Sequence, residues 1–231
     1  MESVWIVPTR GRPANAERLA ARWVQTAGSG THLLFIIDDD DPCCGEYERV
    51  LDAYGDEQVT LITDERRRVG PTLNYWAPKL VMRYDAIGFM GDDHLPAISG
   101  WDVIVERAAT MTQNFIAYGN DLIHGPNLPT AVVMDSRIIR ALGYMVPSGL
   151  IHLYLDNFWR DLGEKLGTLS YHPDIVIEHI HPVAGRVEWD AGYREVNSGE
   201  MYASDAATYS KYVADGELAE AVARIRGFED A

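Results

Sequence analysis

The sequence predicts an α/β fold of one domain, in which helices flank a central, mostly parallel sheet and a helical tail closes the chain. Three observations carry that prediction. Short apolar runs alternate with amphipathic segments through the first hundred residues, the rhythm of parallel strands joined by helices. Those runs end in polar clusters, and open α/β sheets bind their ligands outside the carboxyl ends of the strands. The 231 residues, 47% hydrophobic and 24% charged, supply one sizeable core and exclude collagen, coiled coil and long disorder.

Residues 4–7 read as the first strand and 8–13 as a turn carrying Arg10, Gly11 and Arg12. Leu19, Trp23 and Val24 at helical spacing predict a helix over 14–27. Residues 32–37 form a second strand that stops at Asp38, Asp39, Asp40, Asp41 and Pro42, followed by a helix over 47–54 and a strand over 58–63. After the basic run Arg66, Arg67 and Arg68, Gly70 and Pro71 introduce a helix through Asn74, Trp76 and Leu80. Residues 85–90 make the next strand, ending in Gly91, Asp92, Asp93 and His94. From Trp101 the rhythm changes to a helix up to residue 110, strands at 115–118 and 130–134, helices over 136–142 and 150–166, and a strand over 175–179. Residues 182–199 mix glycine, Trp189, Tyr193 and charge, the pattern of a mobile loop, and 204–225 read as one or two alanine-rich helices. No repeat, low-complexity tract or linker divides the chain. Residues 1–100 and 101–200 are therefore two halves of one domain, with 201–231 as the tail.

Twenty basic against 35 acidic residues leave a formal net charge of −15, which repels phosphate backbones and anionic lipid. Generic nucleic-acid binding is not expected, and an anionic ligand needs a local basic pocket or a metal. The two cysteines, Cys43 and Cys44, are neighbours and close no useful loop, so the expected setting is reducing and cytoplasmic. The opening stretch MESVWIVPTRGRP has too short an apolar run for a signal peptide. No run reaches the roughly eighteen apolar residues of a membrane span, and no membrane anchor is expected.

Two carboxylates at a strand end, Asp92 and Asp93, can chelate Mn²⁺ or Mg²⁺, or simply form a solvated turn. A metal there would let an acidic protein hold a diphosphate. Neighbours on an extended chain alternate sides, so at most one or two of the four aspartates 38–41 serve a ligand, Asp38 being best placed. Arg10, Arg12 and the 66–68 run follow the first and third strands and suit phosphate oxygens, or merely balance local charge. Asp156, in LYLDNFWRDLG, either favours a helix dipole or faces the cleft as a general base. His179 and His181 alternate with Ile180 and point the same way on a strand, and one of them offers a neutral imidazole to a metal. His32, His124, His152 and His172 have no such context.

In order and spacing these segments resemble the GT-A-fold (Rossmann-like) nucleotide-sugar glycosyltransferases, most like the inverting family 2 type, from Val4 to about Pro182. VWIVPTRGRP is similar to the family's first strand and its proline-threonine turn beside the nucleoside, Pro8 and Thr9 here. FIIDDDDP resembles the second strand, whose terminal aspartate, Asp38 or Asp39, contacts the base. RRRVGPTLNYWA resembles the segment that closes over the nucleotide with Arg68 and Asn74. IGFMGDDHLP is similar to the strand of the metal-binding DXD motif, with Gly91 at its first position, Asp93 as ligand and Asp92 near the ribose or the metal's water shell. LYLDNFWRDLGEKLG resembles the base-bearing segment with Leu155-Asp156 in place of Glu-Asp, and IEHIHP the segment whose histidine completes the metal site.

The resemblance implies a donor complex in which Asp93, a histidine of the 179/181 pair and diphosphate oxygens share Mn²⁺ or Mg²⁺. The donor is a nucleotide sugar, a UDP sugar being the first expectation. Asp156 would take the acceptor's proton as configuration inverts, under a lid formed by residues 182–199. Two other readings stay open: a nucleotidyltransferase, although PTRGRP has one glycine and no lysine, and a non-catalytic nucleotide- or sugar-binding protein. Acceptor identity, whether sugar, protein or modified nucleobase hydroxyl, is not legible, although Trp101, Tyr118, Asn120, Asp121, His124 and Asn127 are candidates to shape its pocket.

Overall fold

A computed structural model describes residues 1–55, 57–185 and 187–229. One position of the expected 182–199 lid and the last two of the expected tail lie outside the described residues. Among these described residues, eight strands and nine α-helices follow in order: β1 (Ser3–Thr9), α1 (Pro13–Thr26), β2 (Thr31–Asp38), α2 (Cys44–Leu51), β3 (Val59–Asp64), α3 (Val69–Leu80), β4 (Ala86–Phe89) and β5 (His94–Pro96). The second part comprises α4 (Val103–Met111), β6 (Ile116–Asn120), β7 (Val132–Asp135), α5 (Ser136–Leu142), α6 (Leu155–Leu166), β8 (Leu169–His179), α7 (Ala191–Val196), α8 (Gly199–Ala214) and α9 (Glu217–Arg226).

The strands form one sheet in the order β3-β2-β1-β4-β7-β6-β8-β5. β1 pairs parallel with β2 and β4, β2 with β3, and β6 with β8, whereas β7 runs antiparallel to β4 and β6, and β5 to β8. Parallel neighbours need crossovers: α1, α2 and α3 supply them for β1 to β4, and α5 and α6 lie between β6 and β8. Both faces are covered: Val4, Ile6, Leu34 and Ile36 pack under α3, α5, α6, α8 and α9. Trp5, Val7, Leu33, Phe35 and Ile37 pack under α1, α2 and α4. The two-residue alternation along β1 and β2 thus feeds two cores.

Trp5, Trp23 and Trp101 are wholly buried and meet edge to face, with centroids 5.0, 4.9 and 6.2 Å apart. Gly88, opposite Trp5 in the β1–β4 register, makes the room, since a Cβ there would lie 2.4 Å from the indole. Trp101 therefore does not shape an acceptor pocket. Tyr118 is likewise buried, and its hydroxyl donates to the Pro126 carbonyl at 2.7 Å.

Three expected boundaries move for local reasons. β8 starts at Leu169 rather than 175, because a register shift after Gly119 skips residues 173–175 and so accommodates Pro173, as bulges do. The helix expected from residue 150 starts at Leu155. Asp205 of α8 accepts the backbone N–H groups of Ile151, His152 and Leu153 at 3.1, 2.9 and 2.7 Å, and Tyr154 has φ 63°. Finally, the 182–199 segment is not all loop. It contains α7, capped by Asp190, whose carboxylate accepts the Tyr193 N–H at 2.7 Å.

Candidate active site

A cleft of about 620 Å³ opens at the carboxyl ends of β1, β2 and β4, the size of a small-molecule site. Of the expected residues, Pro8, Thr9, Arg10, Arg12, Asp38, Arg68, Asp92, Asp93, Asp156, His179 and His181 line it. Two others do not. Asp39 is exposed beyond the strand end. Asn74 braces the loop after α5, accepting from Met145 and Val146 N–H at 2.9 and 3.0 Å and donating to the Val146 carbonyl at 2.9 Å.

The short strand β5 pairs with β8 so that His94 faces His179, and their rings stack 4.0 Å apart. Asp93 reaches both, with Oδ1 3.1 Å from His94 Nδ1 and Oδ2 3.4 Å from His179 Nε2. One ligand atom from each of the three lies within 4.8 Å of the others. His179 Nδ1 is buried without a hydrogen-bond partner among the described residues, a donor atom left over for an ion. The residues fit a first-row divalent cation such as Mn²⁺, and suit Mg²⁺ less because it prefers oxygen ligands. Burial raises the Asp93 carboxyl, but hydrogen bonds from His179 and His94 outweigh it and hold it well below the ordinary range. Burial lowers His94, keeping its imidazole neutral.

His181 stands one position further round, its ring 5.1 Å from His179 and 4.9 Å from Tyr193. It is not part of the three-residue group, and His94 is. Gly91, where a DXD motif would have its first aspartate, has a structural reason: a Cβ there would sit 2.6 Å from Asp93 Oδ1 and 3.1 Å from His94 Nδ1. Asp92 turns away from the group into a buried hub, accepting from Thr9 Oγ1, from Asn15 Nδ2 at 3.2 Å and from Arg12 Nη1 at 3.4 Å. Burial and the Asp93 charge push Asp92 up. The hub continues to Tyr47, whose hydroxyl meets Thr9 Oγ1 at 3.0 Å and accepts the Arg12 N–H at 2.8 Å.

Asp38 lies between two guanidinium groups, Arg10 Nη1 at 2.9 Å and Arg66 Nε at 3.7 Å. Asp40 pairs with the same two arginines outside the cleft. Arg12 is gripped by Asp190 through Nε at 3.0 Å and Nη2 at 2.9 Å, and stacks 3.8 Å over the Tyr193 ring. Arg68 pairs with Glu195 at 2.5 Å. The Tyr193 hydroxyl donates to Asp93 Oδ2 at 2.7 Å.

At the other end of the cleft, Asp156 opens α6 and accepts the Asn157 N–H at 2.9 Å. Burial lifts its carboxyl above the ordinary range, which strengthens it as a base. His152 lines the same wall, and burial lowers it to about 4. Asn120, Asp121, His124 and Asn127 do not line this cleft. Asp121 instead ties its own loop, accepting from the N–H of Ile123, His124 and Gly125. The site residues that sequence reasoning missed are His94, Tyr47, His152, Asp190 and Glu195. Only His94 carried a signal, its place directly after the strand-end pair in GDDH.

Neither a protein-family model nor a curated protein matches the chain. Solved structures do. The mannosyltransferase PcManGT from Pyrobaculum calidifontis, in complex with GDP-Man and Mn²⁺, superposes with a TM-score of 0.59 at 12% identity over 96% of this chain and 78% of its own. TarS of S. aureus matches with a TM-score of 0.60 at 11% identity, over 79% of this chain and 37% of its own. Its 1–349 form with UDP-GlcNAc matches with a TM-score of 0.55 at 10% identity, over 93% of this chain and 73% of that one. The chain thus spans well under two thirds of the longer TarS. The fold is that of GT-A-type glycosyltransferases. No helix among the described residues is long and apolar enough to cross a membrane.

Proposed function

We propose that the protein is a metal-dependent glycosyltransferase that moves a sugar from a UDP donor to an acceptor hydroxyl with inversion. The observation that carries the reading is the Asp93–His94–His179 group in one cleft with Asp156, a metal site and a base on a nucleotide-sugar transferase fold. A uracil edge presents acceptor, donor, acceptor; a carboxylate between two guanidiniums, Arg10–Asp38–Arg66, presents the complement. That pattern supports UDP, as do the UDP-GlcNAc complex of TarS and, for the ion, the Mn²⁺ complex of PcManGT.

Asp93, His94 and His179 would hold the ion, which when bound offsets charge on the diphosphate as a Lewis acid. Arg12 and Arg68 add positive charge for the departing diphosphate. Asp156, made more basic by burial, takes the proton of the acceptor hydroxyl as that oxygen attacks the anomeric carbon and the bond to the diphosphate breaks. The enclosing walls orient the two substrates, and orientation is a large part of the rate. A panel of UDP and GDP sugars with Mn²⁺ tests the reading. Mn²⁺-dependent binding and UDP release, both lost in Asp93→Ala, are expected; no Mn²⁺-dependent nucleotide affinity, or affinity for GDP alone, overturns it.

A further inference from the structure

Arg12, Arg68 and Asp93, to which the proposed function gives an anionic donor and its cation, each have a partner from one short stretch, Asp190, Glu195 and Tyr193. Asp190 takes Arg12 through two parallel hydrogen bonds, the geometry in which guanidinium binds carboxylate or phosphate alike. Five residues on, Glu195 takes Arg68. Between them the Tyr193 hydroxyl donates to the Asp93 oxygen that also faces His179, where a hydroxyl proton and a cation compete for the same lone pairs. Helix α7 orders all three, because Asp190 both caps it and grips Arg12. Trp189 and Tyr193 pack around His181 at 5.7 and 4.9 Å and hold the segment down.

We propose that residues 189–197 are an internal competitor of the donor, with two carboxylates in place of the diphosphate charges and a phenol hydroxyl in place of the cation. This rests on the proposed function and reverses the sense of a lid. A lid closes over the donor and adds to its affinity, whereas this segment must leave before the donor enters and subtracts from it. Apparent affinity is scaled by the open fraction, and each ligand that opens the segment makes room for the other.

The sign of two measurements decides. Amide hydrogen exchange over 192–197 should speed up about tenfold or more when UDP and Mn²⁺ are added; slowing overturns the proposal, because it means closure over the ligand. By calorimetry with UDP and Mn²⁺, the Asp190→Asn/Glu195→Gln double variant, in which Asn still caps α7, should bind about tenfold tighter. Unchanged or weaker binding overturns it. Tyr193→Phe should bind Mn²⁺ alone several-fold tighter, and an unchanged Mn²⁺ affinity removes the metal arm. Absence of UDP binding in wild type and double variant alike sinks the donor reading itself, whereas binding without these shifts sinks only the competitor.

Discussion

The two ends of the cleft are built by different means. At the end proposed for the donor, Thr9 and Asp38 close β1 and β2, whose parallel register sets their spacing, and Asp93 follows the end of β4. At the Asp156 end, position depends on contacts distant in sequence. Asp205 holds the backbone of residues 151–153. Gly70 donates its N–H to the Ile151 carbonyl at 2.9 Å, and a Cβ on Gly70 would lie 2.2 Å from the Leu150 carbonyl oxygen. A sheet edge is a rigid template; a loop pinned by one carboxylate from another helix is a joint. A side chain placed at a joint is adjustable without disturbing the sheet.

Substitutions should break the two ends separately. Asp93→Ala removes the shared ligand of both histidines and should lower transfer by about 10³-fold together with Mn²⁺-dependent UDP binding. Asp156→Asn should lower transfer by about 10²-fold or more while calorimetric donor binding persists; parallel loss of both would make the two ends one unit. Asp205→Ala leaves three backbone N–H groups without their acceptor and should destabilise by about 3 kcal/mol in urea unfolding, with turnover falling more than UDP affinity. Gly91→Ala forces Asp93 and His94 to shift and should weaken Mn²⁺ binding about 10-fold, leaving the melting temperature close to wild type.

The smallest effect is a pH effect. Burial lowers His152 from 6.5 to about 4, so between those values the unfolded chain binds more protons than the folded one. The stability this neutral imidazole contributes is complete above about pH 6.5 and is lost as pH falls toward 4. Between pH 7.5 and 5.5 wild type should lose about 1 kcal/mol more than His152→Gln, read from urea unfolding at each pH.

The sequence made the strand-end side of the cleft legible because strand, polar stop and helix recur at short range. Apolar runs such as VWIV and FIID mark β1 and β2, and in a parallel sheet everything after such runs converges. Asp38 and Asp93 could be picked out that way, and His179 by its alternation with His181 about Ile180. The rest depended on pairings the chain does not announce. His94 joins the group only because a three-residue strand lies against β8. Asp205 sits in an alanine-rich helix with nothing in its neighbours to mark it, and Asn74 braces a loop 72 residues away. Trp101 is polar enough at its indole nitrogen to pass for a pocket residue, but the space beside Gly88 and Trp23 takes it into the core.

That tryptophan cluster gives the molecule two separate optical reporters. Three indoles in edge-to-face contact within about 6 Å are held in an asymmetric, water-free setting, so they should give a strong near-ultraviolet circular-dichroism signal that tracks the α1–β1–α4 layer. Trp189, by contrast, is 38% exposed and packs beside His181. The part of the fluorescence that a Trp189→Phe variant loses should follow the 189–197 segment while the dichroic band reports the core, with no added label.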